Sequence, residues 1–248
     1  MSPVPDPSAN AAREVPVEVV AIDGPAGAGK STVAKRLAAA LGWAHLDTGA
    51  MFRAVTLRLL EDGLLAPGAA PSTLDGAAVA STLATLTIAI DDAGRVWLDG
   101  RDVTARLREP AVDAGVSAVA ALGAVRERLR EAQRDFARGR PTVAEGRDIG
   151  TVVFPRAAFK IWLDADVEER ARRRRADLAA AGHDPGAADV VADLVRRDTY
   201  DSSRALAPLT RAADAIAVDT TGLSIDEVVA KLRALVTARV PGTRELHR

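Results

Sequence analysis

The sequence predicts an α/β fold in which a five-stranded, mainly parallel sheet lies between helical layers. Three observations carry that reading. Short apolar runs alternate with helical segments along the chain, and a glycine-rich loop joins the first of these runs directly to a helix. A single hairpin signal then interrupts the alternation, as a small insertion would.

The elements follow in order. Val17 to Ile22 reads as a buried strand ending at Asp23, followed by Gly24-Pro25-Ala26-Gly27-Ala28-Gly29-Lys30-Ser31. Thr32 to Leu41 continues as a helix, with Val33, Leu37 and Leu41 at helical spacing. Trp43 to Asp47 is a short second strand. Thr48 is a natural N-cap for a helix running to about Asp62. A Gly/Pro/Ala connector leads to a helix over about 73–83. Two alternating runs, 86–90 and 95–99, flank Asp91-Asp92-Ala93-Gly94 and predict the hairpin. Helices are expected at about 110–122 and 123–138, a strand at 141–145 ending in Gly146-Arg147-Asp148, and another at 159–164. A helix from Asp166 to about Ala181 carries Arg170 and Arg172 to Arg175. Gly182-His183-Asp184-Pro185-Gly186 breaks it before a helix holding Arg196 to Arg204. Ala215 to Asp219 is the last strand, and Ser224 with Glu227 forms a capping box for the last helix.

The loop between the first strand and helix fits the phosphate-binding pattern G-x-x-x-x-G-K-[ST] in the context that pattern requires. Glycines let the backbone turn its N–H groups toward an anion, and the helix N-terminus adds unpaired donors with partial positive charge. Lys30 is placed to reach the β/γ-phosphates and Ser31 to ligate Mg²⁺. As a loop lysine, Lys30 is expected to be exposed and to contribute little to stability.

Composition narrows the function classes. The chain has 248 residues, 48% of them hydrophobic, which is enough for a sizeable core. A net charge of −1 gives no general attraction to nucleic acid or to an anionic membrane. Absence of cysteine excludes disulfides and thiolate catalysis, and three scattered histidines offer no pair at zinc-ligand spacing. Of these, His45 reads as a packed core residue. Residues 1–16 carry four prolines and no apolar h-region, so they read as a tail rather than a signal peptide, and no segment is long enough to span a membrane. A soluble, cytoplasmic protein is expected.

A phosphate loop alone fits a switch GTPase, an ATP-driven motor or a small kinase. No N-K-x-D guanine-reading motif is present, and no strand ends in Asp-Glu. Arginine is abundant instead, and its planar fork grips phosphate oxygens. Phosphoryl transfer relies on such positioning and charge neutralisation. Two or three arginines of the 170–175 run should face water, with at least one acting as a mobile clamp over ATP.

Four segments together carry a family resemblance: Gly24 to Thr32, Leu46 to Arg53, Glu145 to Pro155, and Arg197 to Leu209. They look like those of bacterial cytidylate kinases, in the same order, and the G-R-D-I-G-T-V-V-F-P stretch is the most specific of them. The resemblance implies a P-loop three-layer core with an inserted nucleoside-monophosphate-binding subdomain at about 49–140, which includes the β-hairpin. It also implies a small helical lid at about 165–184, within a kinase domain spanning 17–240 between two tails (1–16 and 241–248). ATP would bind at Gly24, Pro25, Ala26, Gly27, Ala28, Gly29, Lys30, Ser31 and Thr32, with Mg²⁺ on Ser31. Thr48 would lie near the monophosphate, and Arg53, Arg147 and Arg204 would hold its phosphate. Ser117, Arg126 and Asp148 would read the cytosine edge, and Arg197 and Asp201 would contact the ribose or line the site beside the lid. Lys30, Arg53, Arg147 and Arg204 are then the catalytic residues. Phe52 stands where the family commonly has tyrosine.

The implied reaction is ATP-dependent phosphorylation of CMP or dCMP by direct in-line transfer, in a monomer without nucleic-acid or membrane partners. Glu145 either organises Mg²⁺ through water or holds the strand end. Other small-molecule kinases, acting on UMP, dTMP or shikimate, remain alternatives, as does a regulatory nucleotide-binding module without turnover.

Overall fold

A computed structural model describes residues 18–66, 70–180, 182 and 186–239; both expected tails, His183 and His247 lie outside the described residues. Five parallel strands, β1 (Val19–Asp23), β2 (Ala44–Asp47), β6 (Thr142–Gly146), β7 (Phe159–Asp164) and β8 (Ile216–Asp219), form one sheet in the order β2-β6-β1-β7-β8. The central strand β1 pairs Val19 with Thr142 on one side and Val20 with Phe159 on the other. All five residues of β1 are buried. A strand buried on both faces reads as a continuous apolar run, as this one does.

The two faces of β1 feed separate cores. Val19 and Ala21 pack with residues of α2 (Thr48–Glu61) and α5 (Gly123–Ala137). Val20 and Ile22 pack with Val33 and Leu37 of α1 (Lys30–Leu41) and with Val228 and Leu232 of α8 (Ile225–Thr237). Each such fully buried side chain stabilises the fold by about 1.5–3 kcal/mol. The result is the three-layer arrangement expected from the sequence.

A second sheet has three short antiparallel strands, β3 (Ile88–Ile90), β4 (Val96–Leu98) and β5 (Arg101–Asp102). The hairpin pairs Ile88 with Leu98 and Ile90 with Val96. Its turn is closed by the Asp91 carboxylate, which accepts from the N–H groups of Ala93 (3.0 Å) and Arg95 (2.9 Å). The third strand was not expected, since two residues are too few to show alternation.

Other departures have local causes. The helix expected over 73–83 starts later, as α3 (Gly76–Thr85), because Asp75 caps it by accepting from Ala77 N–H at 2.9 Å. Thr48 is not the N-cap of α2. Asp47 is, accepting from Ala50 N–H at 2.9 Å, while the Thr48 hydroxyl donates to the Glu145 carbonyl at 2.7 Å. The carboxylate one position earlier outcompetes the hydroxyl, which the neighbouring strand then takes. Helices α4 (Pro110–Val119), α6 (Val167–Ala180) and α7 (Ala187–Ser203) match their expected segments, and Ser224 and Glu227 form the capping box of α8. A five-residue π-helical turn at Ile149–Val153, following Asp148, had no sequence signal.

Because β1, β6 and β7 run parallel, the turns after Asp23, Gly146 and Asp164 leave the sheet at the same edge. Ligand sites of open α/β sheets form at that edge.

Candidate active site

At this edge the loop after β1 is shaped by its glycines. Gly24 has φ +155°, and a Cβ added there would lie 2.0 Å from the Leu163 carbonyl oxygen, so any side chain would displace β7. Gly27 and Gly29 have φ of 74° and 84°, and Gly29 is the N-cap of α1. The loop therefore delivers the chain to a helix N-terminus, which favours an anion. Ser31 lies half-buried in the first turn of α1, and Thr32 is exposed.

Lys30 departs from expectation: it is buried, and its ammonium donates to the Pro25 carbonyl at 2.7 Å. Burial, with the nearby Arg147 charge adding to it, pushes its pKa down to about 7. This cation is costly to hold without an anion facing it.

Asp23, ending β1, ties the donor loop to the turn after β6. Its two carboxylate oxygens accept from Ile149 N–H at 2.8 Å and Gly150 N–H at 2.7 Å. Burial nevertheless raises its pKa to about 6, against those hydrogen bonds. Helices α6 and α7 pack over the other side of the loop, where Ala26 joins Ala171, Val190 and Leu194 in a small core. The Asp198 carboxylate accepts from Ala26 N–H at 2.9 Å, and Arg170 donates to the Ala26 carbonyl at 2.9 Å. Arg173 reaches the Thr220 hydroxyl at 2.9 Å, while Arg172 forms an exposed pair with Glu169. Within the arginine run, Arg172 faces water, whereas Arg170 and Arg173 turn onto the loop at the Ala26 and Ala28 carbonyls.

The arginines of the neighbouring region are organised by carboxylates. Arg147 donates to Asp201 at 2.9 Å and to the Gly24 carbonyl at 3.1 Å, touching the donor loop directly. Arg204 donates through Nε to the Asp201 carbonyl at 3.2 Å. Its Nη2 is buried without a hydrogen-bond partner, and burial lowers the pKa of the group. Arg126 pairs with Asp148 and lies 5.4 Å from the centre of the Phe52 ring. Phe52 thus offers Arg126 a π face. Arg53 donates through Nε to Asp113 at 3.3 Å; burial pushes its pKa down. Arg197 pairs with Asp193 at 2.8 Å, and Ser117 is half-buried on α4.

The structure therefore brings Arg147, Arg204 and Asp201 together beside the loop, and Arg126 and Asp148 together at the turn after β6. Thr48 is used in pinning α2 to β6. His45 is half-buried, with Nε2 3.6 Å from Glu145 Oε1; neither atom has a hydrogen-bond partner. Sequence reasoning missed Asp23, Asp113 and Asp198; Asp23 and Asp113 belong to none of the recognised motifs, and Asp198, inside the Arg197 to Leu209 segment, was not singled out there. Among the described residues no three His, Cys, Asp or Glu side chains form a metal cluster, and no helix is long and apolar enough to cross a membrane.

A family model described as Cytidylate kinase matches residues 20–238 of this chain. A protein named cytidylate kinase from Pelotomaculum thermopropionicum is 49% identical over 229 residues, covering 91% of this chain and 97% of its own. One of the same name from Geobacter sulfurreducens is 46% identical over 228 residues, with coverages of 91% and 95%. Another, from Nocardia farcinica, is 48% identical over 226 residues, with coverages of 90% and 94%.

Proposed function

The chain belongs to the cytidylate kinase family, and from that membership we propose that it transfers the γ-phosphoryl group of ATP to CMP or dCMP, giving ADP and CDP or dCDP. The observation that carries the site assignment is the pair of arginines beside the loop. Arg147 bridges the Gly24 carbonyl and Asp201, and Arg204 keeps a buried nitrogen without a partner. A buried, unsatisfied guanidinium nitrogen on the aspartate that also holds the loop-contacting Arg147 suits an anionic acceptor.

On this reading the loop N–H groups from Gly24 to Thr32 and Lys30 bind the ATP phosphates, and Arg53, Arg147 and Arg204 neutralise the acceptor phosphate. The acceptor oxygen is already anionic, so no general base is needed, and transfer is direct and in line. Ser117, Arg126 and Asp148 face the cytosine edge, Arg197 and Asp201 the ribose side, and Thr48 supports the monophosphate region by fixing the start of α2. Residues 49–140 form the monophosphate-binding insertion. The segment at 165–184 is the lid, whose seating over the loop excludes water so that ATP is not hydrolysed.

Mg²⁺ fits the oxygen donors present: the Ser31 hydroxyl, and Glu145, a buried carboxylate with one oxygen lacking a hydrogen-bond partner. Its chemistry there would be neutralisation of charge on the donor phosphates. Ser31 would ligate it and Glu145 would orient its waters. The enzyme is proposed to act as a cytoplasmic monomer on small nucleotides alone.

The test is ADP release measured with ATP and, separately, CMP, dCMP, UMP, dTMP or shikimate, and with no acceptor. Turnover confined to CMP and dCMP is expected. Turnover on another acceptor alone would move the assignment to a sister kinase, and none with any acceptor would leave a binding module.

A further inference from the structure

One half-buried aspartate gathers arginines from three other helices. Asp113 of α4 accepts from Arg53 Nε of α2 on one oxygen, at 3.3 Å. Its other oxygen accepts from Arg174 of α6, and its backbone carbonyl from Arg197 of α7 at 3.4 Å. Burial opposes ionisation of Asp113, but the charges of Arg53, Arg174 and Arg197 overcome it and hold the carboxyl below its ordinary range. Ser117, four residues further along α4, lies on the same helix face.

The same helix α6 also grips the donor loop. Arg170, one turn before Arg174, donates to the Ala26 carbonyl at 2.9 Å and pairs with Asp198, which itself accepts from Ala26 N–H. Two arginines one turn apart thus fasten α6 to the phosphate loop and to the carboxylate that holds Arg53. An arginine bound through Nε still has both terminal nitrogens to offer a second anion, so Asp113 can stay in place while Arg53 receives a phosphate. Without the carboxylate, Arg53 and Arg174 would face each other as like charges.

We propose that Asp113 is a positioning residue that couples acceptor binding to the seating of α6 over the donor loop. One of its oxygens aims Arg53 at the acceptor phosphate, and the other, through Arg174, makes the seating of α6 depend on the same charge. The inference rests on the assignment of Arg53 to the acceptor site. Its prediction is thermodynamic: acceptor and donor bind with synergy, and Asp113 and Arg174 carry that synergy as one unit.

The test is calorimetric titration of a non-hydrolysable ATP analogue, with and without saturating CMP. It is run on the full chain and on Asp113→Asn, Arg174→Gln and the double variant. In the unsubstituted chain, CMP should tighten analogue binding by about fivefold or more. Each single variant should reduce that gain to within about twofold, and the double variant should lose nothing further. Binding of the analogue alone should be unchanged, a readout that a merely structural role would not spare. No synergy in the unsubstituted chain, synergy retained in Asp113→Asn, or weakened binding of the analogue alone would overturn the proposal. If Asp113→Asn does not fold, Arg174→Gln carries the test with the same outcomes. Arg53→Gln separates the two readings: CMP binding undiminished in that variant would overturn the acceptor-site assignment and this proposal with it. Weakened CMP binding in Arg53→Gln alongside intact synergy in Asp113→Asn would overturn the coupling alone.

Discussion

The donor loop draws its groups from the nine consecutive residues Gly24 to Thr32. The arginines proposed for the acceptor, by contrast, come from α2, α5, the turn after β6, α7 and the residue just beyond it. The first site is backbone, held by glycine dihedrals and by the strand beneath Gly24. The second is side chains, and carboxylates hold each of them: Asp113 for Arg53, Asp148 for Arg126, Asp193 for Arg197, and Asp201 for Arg147 and Arg204. A backbone site needs only local sequence to form. A side-chain site of buried cations needs counter-charges brought from elsewhere in the chain, because an unpaired buried charge is strongly destabilising.

The largest effect should come from the one side chain on which the donor site depends. Lys30→Ala should lower kcat by about 1000-fold, the upper range for loss of one donor to a developing charge. Melting temperature should not fall, because the free enzyme holds this ammonium buried, with its pKa pushed down to about 7 from 10.5. The folded state therefore releases its proton first as pH rises, so the lysine contributes a gain in stability between about pH 7 and 10.5. Thermal melts of the variant across that window should lack the gain. Near-normal turnover would show that the loop is not the donor site.

A smaller, selective effect is expected on the acceptor side. Ionised Asp148 can only accept hydrogen bonds, which suits the cytosine amino group and repels the uracil O4. Asp148→Asn keeps the shape and can turn its amide N–H₂ toward O4. It should lose CMP activity and narrow the CMP/UMP ratio of kcat/KM by at least about tenfold, or 1.4 kcal/mol. The variant also removes the counter-charge of Arg126. If that pairing were the whole role of Asp148, activity on both substrates would fall together and the ratio would stay fixed.

The smallest effect returns to the loop. An anion facing Lys30 should raise its pKa again, so ATP binding near pH 8 should take up a fraction of a proton. Binding enthalpies measured in buffers of different ionisation heat read that fraction. Zero uptake would mean that the ammonium is already charged in the free enzyme.

The same contrast explains what could be read from the sequence. The loop, the five core strands and the capping box are local patterns, and they stand within one or two residues of where they were expected. The π-turn after Asp148 is not local. It is held by Asp23, 126 positions earlier than Ile149, and no periodicity announces such a bond. Thr48 was misassigned for a related reason, since the claim of β6 on its hydroxyl is visible only once the strands are paired. The acceptor arginines were identified through the resemblance. Of their carboxylate holders, Asp148 and Asp201 lie within its motifs, whereas Asp113 lies outside them and emerged only from the packing of α2, α4, α6 and α7.

The position of β1 has a consequence for how the protein is made. Among the described residues it precedes every other strand in the chain, and its partners there, β6 and β7, lie far downstream, from Thr142 and Phe159 onward. Until those segments are synthesised, β1 has two open edges and the loop after it has no Leu163 carbonyl to lie against. At roughly 5–20 residues per second, that wait lasts several seconds to half a minute. Closing so long a loop also slows folding once the partners arrive. The nascent chain thus carries this fully buried strand unpaired while more than a hundred further residues are made. Substitutions that weaken β6 or β7 should therefore reduce soluble yield in rapid expression more than they reduce the melting temperature of the finished protein.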